Sequence, residues 1–332
     1  MTAVAAPASV GRRIGAAVLV VVLAVELVVA WPSLTAALGA LESPHLGWVA
    51  LALLVELAAM ASYARMQRRL LRSAGVNAPL HRHVALAYAA HSLSVTLPGG
   101  PAFSTRLNYQ QMRRFGASPA VASWCIALSG LLSAGALAVL TAASVLAADG
   151  TPEWGSLAFL AATAVLLTLG ARKAAREPEI AARLLARANR LLRRPPDRGL
   201  DRIVGFAGQL RAARLTPGHG AAAATFAVLN WLLDAAALWL CVHAVSEGAP
   251  ISVAHLVLTF CAGYAAATIT IVPGGLGVID SALVLGLAAG GVATSTAIAA
   301  VVLYRLISFG FIIGAGWIAW FIIRGRSATT AT

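Results

Sequence analysis

Charged residues make up only 11% of this 332-residue sequence, where soluble domains carry about 25%. Hydrophobic residues make up 60%, more than one soluble core could hide, so much of that surface must face lipid. Cysteine is nearly missing. Cys125, Cys241 and Cys261 each sit inside an apolar run with no CxxC spacing, which excludes a disulfide framework and leaves small packing residues. Lysine occurs once, as Lys173, against 24 arginines; with the abundance of alanine this points to a high-GC bacterial genome and a bacterial plasma (inner) membrane. Also missing are an H-E-x-x-H metal spacing, a nucleophile elbow and a phosphate-binding loop, and Gly274, Gly275 and Gly277 follow no strand. No metal, cofactor or enzyme chemistry is therefore expected, and ATP is excluded as a drive.

The net charge of +13 does not point to nucleic acid. The basic residues fall in short segments between apolar runs, not on one face of a domain. That is the pattern of loops facing an anionic leaflet.

About 20 apolar residues cross the hydrocarbon as a helix. Runs of that kind cover residues 14–30, 46–63, 117–147, 154–170, 220–245, 253–272 and 296–323. The first follows Arg12 and Arg13 but is long for a signal peptide and contains Glu26, so an uncleaved span is expected. Two segments are interrupted, residues 83–106 by Pro98-Gly99-Gly100 and residues 253–290 by Pro273-Gly274-Gly275. Placing the basic loops inside puts both ends of the chain in the cytoplasm, with none of the 25 basic residues in an outer loop. The first interrupted segment then enters and leaves from the inside, and the second from the outside.

The expected architecture is an all-α polytopic membrane protein with about six full spans and two Pro-Gly-Gly re-entrant hairpins. It forms a single integral membrane domain in an inverted-topology repeat, with halves at 12–148 and 154–324. The halves are joined by a basic cytoplasmic stretch holding twelve of the basic residues at 171–215. Within it, residues 179–194 read as a basic amphipathic helix lying on the inner leaflet. Proline removes a backbone donor and glycine permits positive φ, so interrupted helices at matching places in two halves point to a transporter's central site.

Polar groups within spans cost about 2.5–3.5 kcal/mol each and usually have a task. Asp280 and Arg305 read either as a buried ion pair or as ligands, beside Tyr304. Arg106, with Thr105 and Asn108 nearby, suits a lipid phosphate or a snorkelling role. Asp234 sits in mid-span, and His91 is placed to line a cavity. Glu26 and Glu56 read as packing or interface residues, and His81 and His83 as interfacial.

The segments SLSVTLPGGPAFSTRLNYQQMRRFG and IVPGGLGVIDSALVLGLAAGG, with AVVLYRL after the second, resemble the transmembrane domain of lysylphosphatidylglycerol synthases. That group includes the flippase half of the multiple peptide resistance factor and stand-alone flippase-like proteins. The resemblance carries over Pro273, Gly274, Gly275, Gly277, Arg305 and Arg106. Asp280 stands where the family commonly has Glu. Members often carry a charged pair early in the span after the first hairpin, and residues 123–129 here carry none. The soluble aminoacyl-transferase domain of the synthases is expected to be missing. What the resemblance implies is translocation of a polar or anionic, and in some members aminoacylated, lipid head group, with membrane lipids as partners. Asp280 or Asp234 would be proton carriers if movement is ion-coupled. Two other readings fit the same pattern, a secondary transporter of a small solute and a non-transporting partner of a lipid-modifying or glycosyl-transferring enzyme.

Overall fold

The computed structural model describes residues 44–97, 99–149, 215–246, 251–267 and 277–329. The expected spans at 14–30 and 154–170, the amphipathic helix at 179–194, Glu26, Pro98, Pro273, Gly274 and Gly275 lie outside them. Among the described residues there is no strand. The helices are α1 (Leu46–Ser73), α2 (Leu80–Thr96), α3 (Gly100–Arg114), α4 (Pro119–Asp149), α5 (Pro217–Val245), α6 (Val253–Ala267), α7 (Val278–Ala289), α8 (Thr294–Arg305) and α9 (Ile312–Thr329). A π-helical turn, Leu306–Phe311, joins the last two without a break.

Among the described residues four stretches are long and apolar enough to cross a membrane: Leu46–Ser73, Pro119–Ala147, Pro217–Val245 and Thr294–Arg324. Their order along the chain relative to the short helices is long, short, short, long, and then the same again. The short helices α2, α3, α6 and α7 have 17, 15, 15 and 12 residues. At about 1.5 Å per residue none reaches the roughly 30 Å of the hydrocarbon core.

Contacts fix how these helices run. The His45 N–H bonds the Ala244 carbonyl at 2.9 Å, so α1 begins beside the end of α5 and the two pack antiparallel. They form the most extensive pair among the described helices. His83, near the start of α2, stacks on Phe115, just past α3, at 5.1 Å between centroids. The α2–α3 pair is therefore a hairpin, and its open side lies at the end where α1 finishes. The Ser92 hydroxyl donates to the Ile313 carbonyl at 3.1 Å and Gly316 lies against Tyr88, so α9 runs back to that same end. At the opposite end His255 meets the Gly286 carbonyl at 3.2 Å, and Gly290 lies against His255 and Ile251. The α6–α7 hairpin thus opens toward the end shared by His45 and Ala244. Arg65, Arg68, Arg69, Arg72, Arg82, Arg113, Arg114 and Arg324 gather at one end of the bundle, while among the described residues no Lys or Arg lies at the other. Only Arg106 and Arg305 fall between.

Helix ends follow local rules. α1, α3 and α7 each stop at a glycine in left-handed backbone, Gly75, Gly116 and Gly291. A Schellman closure follows each, with Val76 N–H to Leu71 O, Ala117 N–H to Met112 O and Val292 N–H to Leu287 O. α1 extends ten residues past its apolar run because its polar last turns are tied down. Arg68 bonds the Ala78 carbonyl and Arg72 the Asn77 side chain.

In lipid there is little hydrophobic drive between helices, so close packing of small residues must hold them. α6 and α7 meet this way. A Cβ on Gly286 would lie 2.3 Å from the Thr259 methyl and 2.7 Å from its hydroxyl. Gly286→Ala is expected to cost about 1–3 kcal/mol, with Thr259→Ala in the same background recovering most of it. Thermal unfolding of the three variants checks this.

Candidate functional site

The site starts at α7. The Gly277 N–H donates to Asp280 Oδ2 at 2.9 Å, which holds the carboxylate in the first turn, where the helix dipole favours an anion. Its other oxygen, Oδ1, accepts from Arg305 Nε. Arg305 closes α8 and its guanidinium also sits 5.9 Å from the Phe309 ring. The ion pair is only partly buried, with 15% of the Arg305 side chain and 29% of the Asp280 side chain exposed. Arg305 Nη2 is buried without a hydrogen-bond partner.

Next to Arg305, Tyr304 is fully buried. Its hydroxyl donates to Asp234 Oδ1 at 2.5 Å and lies 2.6 Å from the Tyr264 hydroxyl. Because the Tyr304 proton is used on Asp234, Tyr264 must be the donor between the two phenols. A directed chain therefore runs Tyr264, Tyr304, Asp234. Trp231 packs edge-to-face with Tyr264, 5.2 Å between centroids, and anchors itself by donating to the Ser133 carbonyl at 2.9 Å.

These groups surround a cavity of about 280 Å³. Every described helix but α9 contributes to its wall. α1 supplies Glu56 and Tyr63, α2 His91 and Ser94, α3 Ser104 and Asn108, and α4 Ser133. α5 supplies Asn230 and Asp234, α6 Tyr264, and the last span Arg305, Ser308 and Phe309. A second hollow, an apolar groove of about 700 Å³, lies outside it between α7 and the last span. Val284, Leu285, Ile298, Val301, Val302 and Leu306 form its walls. Leu285 is 70% and Leu306 60% exposed, so the groove opens sideways. Asp280, Arg305 and Phe309 line it too, and Arg305 and Phe309 are shared with the polar cavity.

Of the residues singled out in the sequence, His91, Asn108, Asp234 and Arg305 line the cavity, Tyr304 and Asp280 bond to those, and Gly277 holds Asp280. Gly99, with φ of 71°, makes the α2–α3 turn, and Gly100 packs against the Leu93 and Ser94 carbonyls. Thr105 and Arg106 are exposed and do not line the cavity. Helical rotation explains this, since Ser104, Asn108 and Gln111 share one face of α3 and Arg106 lies away from it. His83, expected at an interface, is fully buried. Glu56, expected to pack, is 5% exposed and faces the cavity. Tyr264, Asn230 and Ser308 were not singled out at all. Asn230 and Asp234, four residues apart on one helical face, were the signal that could have marked α5. Among the described residues no group of three or more His, Cys, Asp or Glu is placed to hold a metal ion.

The described helices thus form a bundle with an internal polar cavity, a partly buried ion pair and two short helix pairs. The family model described as the lysylphosphatidylglycerol synthase TM region matches residues 14–316, nearly the whole chain. No curated protein matches it. This multi-pass membrane protein belongs to the lysylphosphatidylglycerol synthase TM-region family.

Proposed function

We propose that the protein translocates lipids with a polar, phosphate-bearing head group between the leaflets of a bacterial plasma membrane. The observation that carries this reading is the shared wall of the two hollows. A polar cavity suits a head group, an apolar lateral groove suits an acyl chain, and Arg305 stands where they join. A lipid phosphate at that seam would meet the unpartnered Nη2 of Arg305, and guanidinium is well matched to phosphate. A soluble solute has no use for the groove. The arginine-rich end of the bundle is assigned to the cytoplasm, with both chain ends there. The α2–α3 and α6–α7 hairpins are read as the re-entrant elements of two inverted halves. No catalytic step is assigned.

The test is reconstitution in liposomes with tail-labelled lipids of several head groups, followed by quenching of the outer leaflet. Loss of the protected fraction faster than in protein-free vesicles, for at least one head group, is the expected result. Filling the groove with Val302→Trp should slow it about ten-fold. No acceleration for any head group by folded protein would overturn the reading.

A further inference from the structure

The cavity holds more negative than positive groups. Glu56 and Asp234 both line it and interact electrostatically, and Asp280 stands just behind. Among the described residues the one guanidinium lining it is Arg305, whose Nε is already committed to Asp280. Glu56 is 5% exposed, and its Oε2 has no hydrogen-bond partner. An ionised carboxylate so placed is costly, and two side by side more so. Two further buried oxygens lining the same space, Asn108 Oδ1 and Ser308 Oγ, also lack partners. They come from other helices and also call for a guest. The origin of the acids matters as well. Each belongs to the long helix that precedes a short hairpin, Glu56 to α1 and Asp234 to α5, and those helices form the central antiparallel pair.

We propose that Glu56 and Asp234 together bind one proton and couple head-group movement to the proton gradient. The inference rests on the transport reading. The titratable and charged groups around the pair are Tyr63 from α1, Tyr88 and His91 from α2, Cys241 from α5, Tyr264 from α6, Asp280 from α7, and Tyr304 and Arg305 from α8. Of these only Arg305 brings a fixed positive charge, and Tyr304 is already a donor to Asp234. The step is acid–base only. A proton leaves water on one side, forms an O–H bond on one carboxylate while the other accepts from it, and returns to water on the other side. The lipid is not chemically changed.

The experiment uses the full chain in liposomes with tail-labelled phosphatidylglycerol and phosphatidylethanolamine under an imposed pH gradient. The expected result is a leaflet imbalance of the labelled lipid that reverses when the gradient is reversed. Glu56→Gln should reduce that response about ten-fold or more, and Glu56→Asp should restore part of it. A second readout is spectroscopic and compares the wild type with Glu56→Gln. Infrared spectra of the wild-type protein in nanodiscs should show the carbonyl stretch of a protonated carboxylic acid at neutral pH, and that band should be lost in Glu56→Gln. Lipid crossing that ignores the pH gradient would overturn the coupling and leave the transport reading intact, as would a response to a sodium gradient instead. No crossing of any lipid would sink the transport reading, and then lack of the infrared band would also remove the proton site.

Discussion

Arg305→Ala is expected to abolish lipid translocation, lowering the flip rate about 100-fold or more, which corresponds to about 3 kcal/mol. The substitution removes the only guanidinium that the described residues bring to a site holding Asp280, Asp234 and Glu56. Losing one partner of a buried ion pair costs about 3–5 kcal/mol. The lower end applies here because 29% of the Asp280 side chain stays exposed. The double variant Arg305→Ala/Asp280→Ala separates two roles. It should regain part of the lost thermal stability, since no orphaned partner remains, but none of the transport, since nothing is left to meet phosphate. Arg305→Lys should fall between, because an ammonium keeps the charge but not the fork. Transport at the wild-type rate in Arg305→Ala would remove Arg305 from the site.

The second large effect concerns packing. Gly316→Ala is expected to prevent accumulation of folded protein, while Gly314→Ala, two residues earlier on the same helix, should be tolerated. A Cβ at 316 would lie 1.9 Å from Ser92 Oγ and 2.3 Å from the Tyr88 carbonyl, whereas one at 314 meets nothing within 4 Å. Overpacking against a flexible side chain typically costs about 1–3 kcal/mol. Here the Tyr88 oxygen belongs to the backbone, so α2 and α9 must separate. Ser92→Gly should not rescue the variant, because the Tyr88 clash remains. Size-exclusion profiles and thermal unfolding of the two alanine variants decide the matter.

Membrane character, the long spans among the described residues and the pairing of Asp280 with Arg305 are legible in the sequence. Each is a property of one segment against a lipid background, where a charge is conspicuous. The Asp280–Arg305 pair was foreseeable as a pair because both lie within one short stretch of the second half. Glu56 was not legible as a site residue. It sits among Ala52, Ala59 and Met60 on α1, and its meaning depends on Asp234, 178 positions further along. Tyr264 is a similar case, since only the approach of α6 to α8 gives its hydroxyl a partner. Arg106, next to the first hairpin in sequence, is exposed and turned away from the cavity. Sequence proximity to a hairpin says little about which way a helical side chain faces, and the i, i+4, i+7 set of Ser104, Asn108 and Gln111 was the better guide. The π turn at Leu306–Phe311 has no signature in its own residues.

That turn, Leu306–Phe311, means that the last span carries a spare residue. Upstream of it Arg305 is tied to Asp280, and downstream Gly316 is seated on Tyr88. One residue advances a helix by about 100°. A π turn can travel along a helix as bonds to the fifth residue are exchanged for bonds to the fourth, one position at a time. If the surplus moved from one side of Arg305 to the other, the guanidinium would swing about the axis by nearly a third of a circle. The Gly316 seat would not have to shift. The last span is thus held on both sides of its spare residue, by Arg305 on Asp280 and by Gly316 on α2.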